Sequence, residues 1–179
     1  MADVDFASCP SPLNSTSNNS CFTPGQILAG LDLNNGGIDH SGAEFALIGA
    51  GMFANLSKML LLNYGDEILN LDFGPAAKAV GFDLYSLLST DPFQVEVFGA
   101  SGSLGTFSAD PAFTGGFFGV FSDGEAITRI SVTPSAGDFA GVDDIAFGTP
   151  TPEPGTVPLC LFGSAILYAI TRGKQRTAE

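Results

Sequence analysis

The chain has no tryptophan and a single histidine, His40, among its 179 residues, and its 6 basic side chains face 19 acidic ones. Each scarcity excludes something. Nucleic-acid binding needs Lys and Arg to neutralise phosphates, and a net charge of −13 repels nucleic acid and anionic lipid alike. His40 lies in a turn-like Asp39-His40-Ser41-Gly42 setting with no nucleophile marked beside it. There is no Cys-x-x-Cys, no His-Glu-x-x-His and no phosphate loop. Gly99-Ala100-Ser101-Gly102-Ser103 lacks the closing glycine of a serine-hydrolase elbow and reads as a hairpin loop. The expectation is a protein that is not an enzyme. A secreted hydrolase working with two carboxylates stays open, because their separation of ~5–9.5 Å is a spatial property. The missing tryptophan also removes the best stacking partner for a sugar ring. Tyr64 and Tyr85 are the only tyrosines ahead of the tail, and Phe73, Phe82, Phe98, Phe117, Phe118 and Phe147 read as core.

What the chain has is glycine, 23 residues, and proline, 11, in a pattern of short apolar runs separated by turns. That composition suits a turn-rich β protein. Residues 1–26 are polar and loop-like, with Pro10, Pro12 and the run Asn14–Ser20. From 27 to 149 strands are expected over Ile27–Leu33, Phe45–Met52, Met59–Leu62, Glu67–Phe73, Ala79–Tyr85, Gln94–Phe98, Gly105–Phe107, Gly116–Phe121, Ile127–Val132 and Val142–Phe147. Asn34-Asn35-Gly36-Gly37, Asp91-Pro92, Asp110-Pro111, Asp123-Gly124 and Thr133-Pro134 read as turns between them. No stretch ahead of residue 150 has caps and a 3.6-residue period long enough for a major helix. The expected fold class is all-β, an antiparallel two-sheet β-sandwich.

The last thirty residues differ in kind. Residues 150–156 form a proline linker built on Pro150, Pro152, Glu153 and Pro154. Residues 157–171 are apolar and uncharged, and as a helix they cover roughly 22 Å, short of the ~30 Å hydrocarbon thickness. Residues 172–179 carry Arg172, Lys174 and Arg176, a basic stop that places this end in the cytoplasm. An apolar run of this length also suits a buried core helix. Its terminal position, proline knot and cationic end favour a single short C-terminal transmembrane helix.

In that three-part order the tail resembles the PEP-CTERM sorting tail of Gram-negative bacteria, carried here by Pro152-Glu153-Pro154, the short span and the basic end. The resemblance implies recognition and processing by an exosortase at Pro152, Glu153 and Pro154. It also implies inner-membrane anchoring beforehand, then delivery to the cell surface or an exopolysaccharide matrix. The basic end is looser than the dense arginine cluster usual in that family. Export requires a leader, and Met1-Ala2-Asp3-Val4-Asp5-Phe6 has neither a basic start nor an apolar core, so a missing upstream piece is expected. In an exported chain Cys9 and Cys21 are expected to form a disulfide across their Ser/Asn-rich loop, adding on the order of 3 kcal/mol. Cys160 reads as an apolar filler of the span.

The body is similar to the β-sandwich domains found ahead of such tails, on Cys21-Phe22-Thr23-Pro24-Gly25, Ala79-Val80-Gly81-Phe82-Asp83, Phe117-Phe118-Gly119-Val120 and Val142-Asp143-Asp144-Ile145-Ala146-Phe147. This resemblance implies a jelly-roll-like sandwich of the carbohydrate-binding type, whose first strand pairs near the last. Here that strand is reduced to Asp3–Ala7 or absent. It also implies a structural calcium on Asp138, Asp143 and Asp144, since Ca²⁺ takes six to eight oxygens from separated segments. The alternative is that Asp144 accepts backbone N–H bonds at a sheet end. Two functions follow: an exported matrix or surface protein, or a carbohydrate-binding module of the matrix.

Overall fold

The computed structural model describes residues 2–4, 30–36, 45–51 and 59–149. Cys9, Cys21, His40 and the whole of 150–179, with its linker, apolar span and basic end, lie outside the described residues. Eleven strands are present: β1 (Ala2–Val4), β2 (Leu31–Asn35), β3 (Phe45–Ile48), β4 (Met59–Leu62), β5 (Leu69–Ala77), β6 (Ala79–Tyr85), β7 (Phe93–Gly99), β8 (Gly102–Ala109), β9 (Gly116–Phe121), β10 (Ile127–Thr133) and β11 (Gly141–Gly148). Among the described residues no helix is long and apolar enough to cross a membrane.

The strands form two antiparallel sheets. The first runs β3-β4-β11-β6-β9 and the second β2-β5-β10-β7-β8. β1 adds to the first sheet by pairing Ala2, Asp3 and Val4 with Phe147, Ala146 and Ile145 of β11. The first strand is therefore present within the region expected to be loop, and it pairs with the last one. It shares a flank of β11 with β4, which meets that strand at Gly141 and Val142, and β6 takes the other flank.

Period-two alternation explains which side chains meet between the sheets. From the second sheet Leu31, Leu33, Leu69, Leu71, Phe73, Val95, Val97, Ile130 and Val132 point inward. They face Phe45, Leu47, Leu60, Leu62, Val80, Phe82, Leu84, Val142, Ile145 and Phe147 of the first. Phe73 and Phe147 join across the gap with ring centroids 5.1 Å apart. At ~25 cal/mol per Å² of apolar surface removed from water, this layer is the main stabilising term.

Two expectations change. Asn34 and Asn35, the first half of the turn expected over Asn34-Asn35-Gly36-Gly37, belong instead to the end of β2, where they pair with Asn70 and Leu69, while Gly37 lies outside the described residues. Their side chains find partners there, with Asn34 Nδ2 donating to Asp72 Oδ2 at 2.7 Å and Asn35 Nδ2 to Glu67 Oε1 at 2.8 Å. The expected core phenylalanines also divide. Phe73, Phe82 and Phe147 are buried and Phe118 packs against them, whereas Phe98 is half-buried on the outer face and Phe117 is 77% exposed. Adjacent strand residues point to opposite faces, so Phe117 and Phe118 cannot both enter one core.

Candidate functional site

β11 must present both Val142 and Ile145 to the core, and three residues of strictly alternating strand would send them to opposite faces. The register resolves the conflict: Asp143 pairs with Asp83 and Ala146 with Gly81, which leaves one extra residue in β11. Asp144 takes up the excess at φ 49°, a left-handed conformation that Asp tolerates better than most residues. The bulge leaves Asp144 exposed on the outer side of the first sheet, while Asp143 is fully buried.

Asp138 sits elsewhere. It is 1% exposed in the turn before β11, and its carboxylate is ringed by donors from the segment after β6. Oδ1 accepts from the backbone N–H groups of Leu87 (3.2 Å), Leu88 (3.1 Å) and Phe139 (2.7 Å). Oδ2 accepts from Ser86 Oγ (2.5 Å), Ser89 N (3.3 Å) and Ser89 Oγ (3.4 Å). Burial raises its pKa, but the bonds from Ser86 and from the backbone of Phe139, Leu88 and Leu87 outweigh that and hold it below the usual aspartate range. So many N–H and O–H donors stabilise the ionised carboxylate without a cation, and Asp138 takes the sheet-end role weighed for Asp144. The three aspartates expected for calcium thus occupy three settings. Among the described residues no group of three or more His, Cys, Asp or Glu side chains is placed to hold a metal.

Asp138 ties the loop after β6 to the loop before β11, and both cover part of the first sheet's outer face. Beneath them Ala46, Ile48, Met59, Leu61 and Tyr85 form a second buried cluster, with Leu87 and Phe139 packed on it. The β6–β9 end of the same face is open. There the outward positions are Ala79, Gly81 and Asp83 on β6, Phe117, Gly119 and Phe121 on β9, and Asp144 and Ala146 on β11. Ala146, Gly81 and Gly119 lie in register across three strands and make a floor of small residues.

Phe117 leans over that floor. A Cβ built on Gly119 would stand 2.8 Å from Phe117 Cε1, and one on Gly81 would stand 3.1 Å from its Cε2 and Cζ. The glycine pair therefore seats the ring against the sheet backbone. Phe121, 63% exposed, bounds the other end, and the depression encloses about 510 Å³. Its lining is apolar apart from Asp144. The sequence carried a signal for this site in Gly116-Phe117-Phe118-Gly119, where paired phenylalanines in one strand force one ring outward and the glycine two residues on leaves it room.

The second sheet's outer face is opposite in chemistry. Asn70 Nδ2 donates to Asn34 Oδ1 at 3.1 Å and Ser131 Oγ to Asn70 Oδ1 at 2.6 Å. Arg129 grips Asp72 through Nε at 2.5 Å and Nη2 at 2.8 Å. These polar side chains satisfy one another across three strands, β2, β5 and β10.

No family model matches the chain, and no curated protein matches it. Among solved structures 22 chains match. A mutant of a family 29 carbohydrate-binding module is similar at 13% identity, with 81% of this chain and 97% of that one covered and a TM-score of 0.42. A family 29 module complexed with mannohexaose is 13% identical over 79% of this chain and 96% of its own, with a TM-score of 0.42. Another, complexed with cellulohexaose, is 12% identical over 68% and 95%, with a TM-score of 0.38.

Proposed function

We propose that this chain is a non-catalytic β-sandwich of the cell surface or extracellular matrix, holding polysaccharide on the open outer face of its first sheet. The observation that carries this reading is Phe117, a large apolar side chain left 77% exposed and seated on two glycines. A pyranose has one face of C–H groups and an edge of hydroxyls. Stacking the C–H face on a seated ring removes apolar surface from water without ordering a flexible side chain. Asp144 stands at the rim, where a carboxylate accepts hydrogen bonds from hydroxyls.

Delivery belongs to the same proposal. Residues 150–179 act as the sorting tail, with exosortase processing at Pro152, Glu153 and Pro154, and with Arg172, Lys174 and Arg176 holding the precursor in the inner membrane. The surface function is tested by affinity electrophoresis of the full chain, in detergent, through gels cast with exopolysaccharide. Retardation is expected and is expected to vanish in Phe117→Ala, while equal mobility with and without polymer overturns the reading. Delivery is tested separately. Glu153→Ala should accumulate a full-length membrane-retained species, and normal release would remove the sorting tail from the account.

A further inference from the structure

We propose that the sugar held on the Phe117 face is uncharged, and that the site discriminates against both acidic and amino-sugar polymers; this rests on the polysaccharide reading above. The argument is one of charge placement. Between Lys78 and Arg129 the chain has no basic residue, while Asp83, Asp91, Glu96, Asp110, Asp123 and Glu125 are acidic. Of the two cations that bracket this stretch, Lys78 lies beyond the Phe121 end of the depression and Arg129 on the other sheet, and both are engaged. Lys78 Nζ donates to the Gly124 carbonyl, and Arg129 is bound in two places to Asp72 on the other sheet. Among the described residues that line the depression none is basic, so a uronate, sulfate or phosphate on the incoming sugar meets apolar surface and Asp144 at the rim.

An amino sugar fares little better. Among the described residues Asp144 is the one charged side chain lining the depression, and it is exposed, where a single ion pair contributes little. The ammonium would shed water against Ala79, Val80, Gly81, Val120 and Ala146, none of which replaces it. An uncharged ring gives up no charge hydration and keeps the whole stacking gain.

The experiment measures binding of the full chain to a soluble neutral β-glucan, to alginate and to chitosan oligosaccharide, each from low to high salt. The expected result is glucan binding that changes less than about twofold across the series, because only charge–charge terms are screened. Phe117→Ala should weaken it about tenfold or more, as loss of an aromatic contact does. Arg129→Ala, on the other sheet and away from the depression, should leave it within about twofold. Alginate or chitosan binding that is stronger than glucan binding and is lost in Phe117→Ala overturns the charge inference while leaving the polysaccharide reading intact. Chitosan binding that falls steeply with salt and drops in Asp144→Asn does the same. Binding of none of the three, or glucan binding indifferent to Phe117→Ala, overturns both.

Discussion

The two outer faces of the sandwich solve the same problem in different ways. Strand alternation gives each sheet an outward row that the core does not use. On the second sheet that row is polar over β2, β5 and β10, where Asn34, Asn70, Asp72, Arg129 and Ser131 bond to one another across three strands. On the first sheet it is mostly apolar, with Asp83 and Asp144 as exceptions, and half is hidden under loops pinned by Asp138 while half lies open around Phe117. A sheet that needed only solubility would repeat the second solution. The open half of the first is where a partner gains by covering apolar surface.

Removing the pin should have the largest effect. Asp138→Ala leaves several buried N–H groups without an acceptor and is expected to cost about 3 kcal/mol, lowering the thermal midpoint by roughly 6–12 °C. The same carboxylate sets an acid limit. Because its pKa is depressed in the fold, its contribution is whole above the unfolded-state value and is lost as pH falls through the lower folded value. Urea titrations at stepped pH should show stability dropping below the usual aspartate range, with a shallower drop in Asp138→Asn.

Phe117→Ala probes the open half and should separate binding from folding. Glycan retardation disappears, while the melting midpoint moves by only ~0.5 kcal/mol equivalent, as for an exposed site. A large loss of stability instead would mean that the ring holds the fold together. A smaller change is expected on the polar face. Asp72 has its pKa raised by burial but more strongly lowered by bonds from Arg129 and Asn34, and yet Arg129 is 45% exposed. Arg129→Ala is accordingly expected to cost ~1 kcal/mol or less, shrinking further in high salt. The smallest effect concerns metal. With Asp138 ringed by donors, a melt with EGTA is expected to match one without it, and a clear drop would restore a calcium site.

Much of the sandwich was legible in the sequence because period two is strong where both faces differ. Met59–Leu62, Ala79–Tyr85 and Gly116–Phe121 emerge with the bounds expected from their apolar runs and flanking turns. Glu67–Phe73 also shows its alternation, with Leu69, Leu71 and Phe73 inward and Asn70 and Asp72 outward. What escaped depended on tertiary context. Asn34 and Asn35 have turn propensity, yet ladder pairing with β5 and side-chain partners on Asp72 and Glu67 override it. Asp138 was visible as an acid near a strand, but the donors that surround it come from residues 86–89, some fifty positions earlier. The bulge at Asp144 follows from the demand that Val142 and Ile145 share a face, which a regular strand reading hides. Phenylalanine usually goes to the core, but Phe118 takes the inward position on β9 and its neighbour Phe117 is left outside.

The most direct test is amide chemical-shift mapping of the full chain, in detergent, during titration with a soluble neutral β-glucan oligosaccharide. The account predicts saturable shifts confined to residues 79–83, 116–121 and 144–146. Shifts centred on Asn34, Asn70, Asp72 and Arg129, with the Phe117 region silent, would contradict it.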